Sequence, residues 1–329
     1  MTLFDVFQAR KRIAPYVRRT PLIETAWLSE ASDSRVWLKL ESLQRSNSFK
    51  LRGAFNAVMA RLERGESKSI SKLVTASAGN HGRALASAAE TFHLPLVVFT
   101  PADAPEAKLA AIRRHGAELR ADGRDYDEAE RRAKKYAAET GATFISPYND
   151  ADVIAGAATV GVEILEDAPD IDTLIVPIGG GGLISGVAIA AKAIAPAVTV
   201  LGVEAEMSHA FLTSVRAGRL VEIVPQPSIA DGLGGNADPD TITFAYIQRW
   251  VDDIVTVSEE DLATAIAGLA EKEHLIAEGA GAAAPAAILA GRARVNGRRV
   301  AAIVSGANID RVRLGEILLI REGRQHKGD

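Results

Sequence analysis

The stretch Gly179-Gly180-Gly181-Gly182-Leu183-Ile184-Ser185-Gly186 offers the plainest chemistry in the chain. Four successive glycines leave bare backbone N–H groups free to converge on an anion, and a helix starting there adds a favourable dipole. A tight turn with close helix–sheet packing is the plain structural alternative, but it needs only one or two glycines and the rest add backbone entropy cost. No register of the stretch satisfies G-x-G-x-x-G, because Gly186 falls one place late, and no Gly-Lys-Ser/Thr follows. Both observations count against dinucleotides and nucleoside triphosphates and leave a small monophosphate.

Three further constellations bear chemistry. In Ser48-Phe49-Lys50-Leu51-Arg52-Gly53-Ala54, Lys50 sits between Phe49 and Leu51. A lone lysine is usually a solvated surface charge. An apolar setting near a phosphate site would lower its pKa and free the amine for Schiff-base chemistry. Ser77-Ala78-Gly79-Asn80-His81-Gly82 reads as a strand-to-helix turn with exposed N–H groups that could grip a carboxylate. Alone it is equally a capped helix start, and His81 alone reads as a cap or a structural histidine. Ser305-Gly306-Ala307-Asn308 ends an apolar run, where ligands of open α/β sheets gather, though by itself it is equally an ordinary turn.

The elements that must position these motifs show in the hydrophobic pattern. Val36-Trp37-Leu38, Leu73-Val74, Leu96-Val97-Val98-Phe99, Leu174-Ile175-Val176, Val198-Thr199-Val200-Leu201 and Val300 to Val304 lack polar alternation. Such runs suit strands buried on both faces, as in a parallel sheet covered by helices. Ser258-Glu259-Glu260-Asp261 opens a helix whose apolar positions are Leu262, Ile266 and Leu269. Mixed-sign charge from Tyr126 to Ala138 marks a solvated helix face rather than a nucleic-acid patch, and the Ala-rich segment from Ala277 to Ala290 reads as a tightly packed helix start. Alternating β and α elements predict an open α/β architecture.

Composition sets outer bounds. The 329 residues are 47% hydrophobic, 24% charged and only 5% aromatic, an ordinary globular balance with an aliphatic core. A net charge of −4 gives no pull toward nucleic acid or anionic lipid, and the absence of cysteine excludes disulfides and thiolate metal sites. The N-terminus lacks a secretory pattern and no apolar run reaches the roughly 18 residues of a membrane span, so the expected location is the cytoplasm.

Taken together and in order, SFKLRGA, SAGNHG, GGGGLISG and SGAN resemble the tryptophan-synthase-β-like class of pyridoxal-phosphate enzymes. Within it the chain is similar to the threonine/serine dehydratase and serine racemase branch, from about Ile13 to about Ile317. The resemblance implies two open twisted-sheet α/β domains with the cofactor between them: a large one, residues 1–51 and 148–329, and a small mobile one, residues 52–147. It implies that Lys50 forms the Schiff base with pyridoxal 5'-phosphate and moves protons at the substrate's Cα. Phe49 would lie beside the ring, and Gly179, Gly180, Gly181 and Gly182 would cradle the phosphate. Asn80 would bond the 3′-oxygen, Ser77, Asn80 and His81 would hold the substrate carboxylate, and Ser305 would partner the pyridine nitrogen. A neutral serine leaves that nitrogen mostly unprotonated, which favours prompt loss of a β-leaving group over transamination.

The chain departs from the branch in places that sharpen the expectation. Racemases carry a second serine after the Ser77 position, as acid/base on the opposite face. Here it is Ala78, which cannot transfer a proton. The branch's divalent-cation site matches Glu204 and the Ser208 carbonyl, but its last acidic position is Ala210. Too few oxygen ligands remain, so no metal is expected. Ala157 and Ala307 replace the usual Gln and Gly of neighbouring motifs. The chain ends soon after Ile320, so no C-terminal regulatory domain is expected. The resulting expectation is a homodimeric dehydratase, an ammonia-lyase acting on a small β-hydroxy amino acid such as threonine or serine. Hydroxyaspartate or phenylserine as substrates, a racemase, a β-replacement synthase and a non-catalytic cofactor carrier are the alternatives.

Overall fold

The computed structural model describes residues 1–65 and 70–325. Each apolar run named above, apart from Val198 just ahead of its strand, lies in a strand whose alternate side chains feed two different cores. Leu174 and Val176 pack on one face of their sheet and Ile175 on the other; Ala301 and Ile303 oppose Val300, Ala302 and Val304 in the same way. In the second sheet Leu73, Leu96 and Val98 face one core while Val74, Val97 and Phe99 face the other. A period of two with both phases apolar requires helices on both faces, the three-layer arrangement of an open α/β fold.

The larger sheet runs β1 (Leu22–Glu24), β2 (Arg35–Leu40), β10 (Arg299–Val304), β7 (Thr173–Pro177), β8 (Thr199–Ala205) and β9 (Asp253–Val257). The smaller runs β5 (Glu118–Gly123), β4 (Leu96–Pro101), β3 (Leu73–Ala76) and β6 (Thr143–Phe144). All neighbours are parallel except β1, which pairs antiparallel with β2 at the edge. The pattern reading missed β1, β5, β6 and β9. β5 is a polar edge strand, β1 and β6 are only three and two residues long, and β9 interleaves Asp253 and Thr256 with its apolar residues.

The helices in chain order are α1 (Leu3–Ile13), α2 (Ala26–Ser32), α3 (Lys50–Glu63), α4 (Asn80–Thr91), α5 (Glu106–Arg113), α6 (Tyr126–Thr140) and α7 (Ala151–Asp167). After them come α8 (Gly182–Ile194), α9 (Ala210–Ala217), α10 (Thr243–Trp250), α11 (Glu259–Lys272), α12 (Gly279–Leu289) and α13 (Arg311–Gln325). The Ser258 capping box forms and starts α11, while α12 is buried along nearly its whole length, as its Ala-rich sequence requires. α6 keeps its charges in surface ion pairs such as Arg124–Glu128 and Arg132–Asp122.

α7 is the spine against which the functional elements are set. On one side Gly156 abuts the Arg52 backbone of α3; on the other Gly186 of α8 meets α7 so closely that an added Cβ would lie 2.6 Å from the Ile154 carbonyl oxygen and 2.7 Å from the Ala158 nitrogen. Gly186→Ala must push α8 off α7. It is expected to cost about 1–3 kcal/mol, read as a lower denaturation midpoint; an unchanged midpoint would mean the two helices slide apart freely.

Between α7, α3 and β2 lies a buried set of four charges. Arg52 donates to both oxygens of Glu41 at 2.8 Å and to Glu163 at 2.6 and 2.8 Å, and Lys39 donates to Glu163 at 2.7 Å. Burial alone would push the Arg52 guanidinium down, but Glu41 and Glu163 outweigh it and hold Arg52 above its ordinary value. For Lys39 burial wins and lowers the amine. The set is electrically balanced, the condition under which buried ions are tolerated. It clamps the first turn of α3, two residues from Lys50.

Candidate active site

Three of the four motifs lie at carboxyl ends of parallel strands. Ser77 follows β3, Gly179 follows β7 and Ser305 follows β10. Because β10 lies between β2 and β7, the turn at Ser305 is flanked by the chain leaving β2 toward Lys50 and by the glycine turn. A single antiparallel bridge, Ser48 to Gly306, ties the two sides: Phe49 N donates to the Ser305 carbonyl at 3.1 Å and Ala307 N to that of Asn47 at 2.9 Å.

Lys50 therefore starts α3 against the centre of the larger sheet. Its Nζ donates to the Pro147 carbonyl at 2.9 Å and lies 5.1 Å from the Phe49 ring centre. Burial, offset in part by the charge of Glu278, pushes the amine down to about 8. The side chain still keeps an accessible face, as the floor of a cleft would give it. A free-base fraction near neutral pH is the property a nucleophilic lysine needs.

The glycine turn begins α8, with Gly181 in the left-handed region at φ 82° as its N-cap. A Cβ on Gly180 would collide with the Tyr148 ring, and the Gly180 carbonyl accepts from Thr243 Oγ1 at 3.0 Å. Bare backbone and close packing thus both demand glycine here. Tyr148 and Thr243 were not singled out from sequence; each lies more than 30 residues from the turn and no local pattern marks it.

Asn80 starts α4 across the cleft. Its Nδ2 donates to Glu278 Oε1 at 2.5 Å and its Oδ1 accepts from Asn308 Nδ2 at 2.6 Å. Ser77 is buried, its Oγ accepting from Gly79 N at 3.2 Å. His81 is buried as well, with Nε2 3.3 Å from the Ile145 carbonyl. Burial, then the charge of Lys50, drives this imidazole down to about 3, so it is neutral. The Ser305 hydroxyl is buried and donates to the Ala280 carbonyl at 3.2 Å. Contacts thus tie Asn80, through Glu278 and Asn308, to the Ser305 turn, and Lys50, through Pro147 beside Tyr148, to the glycine turn. The structure adds Glu278, which lies in none of the four motifs.

Glu204 lies elsewhere, at the end of β8. Its two oxygens accept from Phe211 N at 2.9 Å and Leu212 N at 2.7 Å and so close the first turn of α9. Burial pushes this carboxyl up to about 7 against the pull of the two amides. Among the described residues no group of three His, Cys, Asp or Glu side chains is assembled for a metal.

A family model described as pyridoxal-phosphate dependent enzyme matches residues 13–306. The chain belongs to that family. It is 40% identical over 328 residues to the L-threonine ammonia-lyase of Thermotoga maritima, covering 99% of this chain and 80% of that protein. It is 37% identical to a catabolic L-threonine dehydratase of Staphylococcus aureus, covering 97% of this chain and 92% of that one. Among solved structures, maize serine racemase superposes with a TM-score of 0.90 at 33% identity, covering 99% of both chains. A threonine deaminase from T.th. gives 0.87 at 37% identity, covering 94% of this chain and 99% of that one.

The residues present fit the family's cofactor. The amine that would bond it is already depressed in pKa, the glycine turn presents a helix N-terminus, and two buried polar atoms, Ser48 Oγ and His81 Nδ1, have no hydrogen-bond partner among the described residues. No described helix is long and apolar enough to cross a membrane.

Proposed function

We propose that this enzyme eliminates water from a small β-hydroxy amino acid, threonine or serine, to release a 2-oxo acid and ammonia. The observation that carries the reading is the depressed Lys50 amine, tied through Pro147 and Tyr148 to a glycine turn that opens a helix. The threonine ammonia-lyase, dehydratase and deaminase relatives support it.

In this reading Lys50 would hold pyridoxal phosphate through its amine, and the amides of Gly179, Gly180, Gly181 and Gly182 would hold the phosphate. Asn80 would meet the ring oxygen, Ser305 the ring nitrogen, and Phe49 would lie beside the ring. When bound, the cofactor supplies a sink for the electron pair left on the substrate's Cα. The exposed N–H groups and polar side chains of the Ser77–His81 loop fix the substrate carboxylate. Once the substrate's amine has taken its place on the cofactor, the freed, neutral Lys50 would take the Cα proton, a task suited to a base whose pKa lies near 8. His81, a weak base because burial and the charge of Lys50 depress it to about 3, competes poorly for that proton. Ser305 offers an uncharged partner to the ring nitrogen, which favours loss of the β-hydroxyl over return of a proton.

The same reading divides the chain into a large unit, 1–51 with 148–329, and a mobile small unit, 52–147, closing over the cleft to exclude water. Two ion pairs, Lys108–Asp231 and Lys134–Asp238, span the proposed boundary. The proposal is of a homodimer in the cytoplasm, acting on free amino acids without a nucleic-acid or membrane partner.

A panel of β-hydroxy amino acids assayed for 2-oxo acid and ammonia tests the activity. Loss of optical activity without ammonia release would overturn it in favour of the racemase that the maize structure brings to mind. Ala78 opposes that alternative, because a methyl group has no proton to give. Ala78→Ser should therefore add Cα exchange from the opposite face. General acid–base groups contribute about 10²–10⁴-fold, so conversion of L- to D-serine should rise by at least about tenfold in the variant. Unchanged conversion would mean position 78 does not face Cα.

A further inference from the structure

We propose that Glu278 is a positioning residue for Asn80: its carboxylate engages one N–H of the Asn80 amide and so aims the remaining N–H into the cleft. The inference rests on the proposed function, since the group to be met there is the cofactor's ring oxygen.

An asparagine side chain has nearly the same shape either way round, so only its partners decide which end is the donor. Here they form a chain that leaves one solution. Asn308 Nδ2 donates to the Ser46 carbonyl at 2.9 Å, while its Oδ1 accepts from Arg83 Nη1 at 2.7 Å. That fixes Asn308 as a donor toward Asn80 Oδ1, at 2.6 Å. The other end of Asn80 must then be Nδ2, and Glu278 Oε1 receives it at 2.5 Å. An ionised carboxylate can only accept, so it also forbids the flipped amide. Of the two Asn80 donors one is used, and one is left for the cleft.

The fold makes room for this carboxylate at some expense. Glu278 is the N-cap of α12, yet makes no side-chain cap bond to its own helix. A Cβ on Gly306 would collide with Glu278 Oε1, so the strand-end glycine is what admits it. Glu278 is 7% exposed. Burial pushes it up to about 7, the Asn80 amide pulls it down, Asp231 raises it, and Lys108 and a backbone N–H at Asn308 lower it. Lys50 feels Glu278 in return, and Arg83 lies beyond Asn308 in the same network. Below about 7 the Glu278 carboxyl is a neutral acid and the charge assistance it gives the Asn80 amide is lost, while Asn308 still sets which end of Asn80 is the donor.

The test is the dissociation constant of pyridoxal phosphate, followed by its absorbance, in wild type and Glu278→Gln. Glutamine keeps the size and loses the charge. A charge-assisted bond exceeds a neutral one by about tenfold in an equilibrium constant. The variant should thus bind about tenfold more weakly at pH 8.5, with the ratio falling toward one at pH 6. The Glu278 charge also raises Lys50, an effect present with or without the Asn80 side chain. In an Asn80→Ala background only the effect through Lys50 remains, so the same substitution should lose its roughly tenfold penalty at pH 8.5, because that penalty acts through Asn80. A ratio that does not change with pH overturns the inference, as does an equal loss in the Asn80→Ala background. Should Glu278→Gln fail to fold, Asn80→Ala alone decides: the wild-type to Asn80→Ala ratio must shrink from pH 8.5 to 6, and a constant ratio overturns the inference. If wild type binds no cofactor at all, the proposed function falls too, an outcome distinct from failure of Glu278 alone.

Discussion

Lys50→Ala is expected to abolish turnover, by on the order of 10³-fold or more, and to remove the visible absorption of lysine-linked cofactor. Both effects have one cause: the same amine carries the cofactor and takes the Cα proton. The fold should survive. Burial depresses the folded pKa of Lys50 to about 8, below the ordinary lysine value, so the folded state resists protonation more than the unfolded chain does. The charged amine therefore opposes folding fully below pH 8, and the penalty fades as pH rises toward the ordinary lysine value. Alanine removes that penalty, so the cofactor-free variant should melt no lower than wild type at pH 7. Full activity would overturn the assignment. Lost activity with a collapsed melting temperature would show that Lys50 serves the fold instead.

Much of this site was readable before any coordinates, because its four motifs are short and each works through local backbone geometry. A run of glycines opening a helix, or a polar turn after an apolar run, carries its meaning within eight residues. The strands of both sheets that carry the site were equally legible, since burial on two faces leaves unbroken apolar runs. What escaped depends on contacts between distant residues. Glu278 meets Asn80 across 198 positions, and Tyr148 meets a glycine that owes its necessity to that ring. Nothing local distinguishes either residue. The polar edge β5 escaped for another reason: one of its flanks faces water, so its pattern resembles a loop.

The second large effect concerns the buried charges. Arg52→Met is expected to destabilise the protein by about 3–5 kcal/mol, seen as a lower denaturation midpoint. The loss arises because Glu41 and Glu163 keep two buried negative charges against Lys39 alone. Adding Glu41→Leu removes the surplus charge and leaves the Lys39–Glu163 pair neutral. The double variant should recover part of the loss, a coupling of about 0.5–3 kcal/mol between contacting residues. Recovery would be incomplete because Thr20 donates to Glu41 at 2.5 Å and loses that acceptor. A double variant as unstable as the sum of its parts would mean that packing around Arg52, and not charge balance, decides stability here.

The place of β10 has a consequence for how the chain comes to be made. The strand at residues 299–304 lies between β2 and β7, so the centre of the larger sheet is supplied almost last. As the polypeptide leaves the ribosome, β2 emerges long before its inner neighbour. Until then the facing edges of β2 and β7 present unpaired N–H and C=O groups along apolar strands, a template for pairing with other chains. Closing so long a loop adds entropy cost only slowly with length, but the wait itself is the hazard. The arrangement that brings Ser305 between Lys50 and the glycine turn thus makes the final step of sheet assembly also the step that completes the cleft, and a nascent chain cut short before residue 299 would have neither.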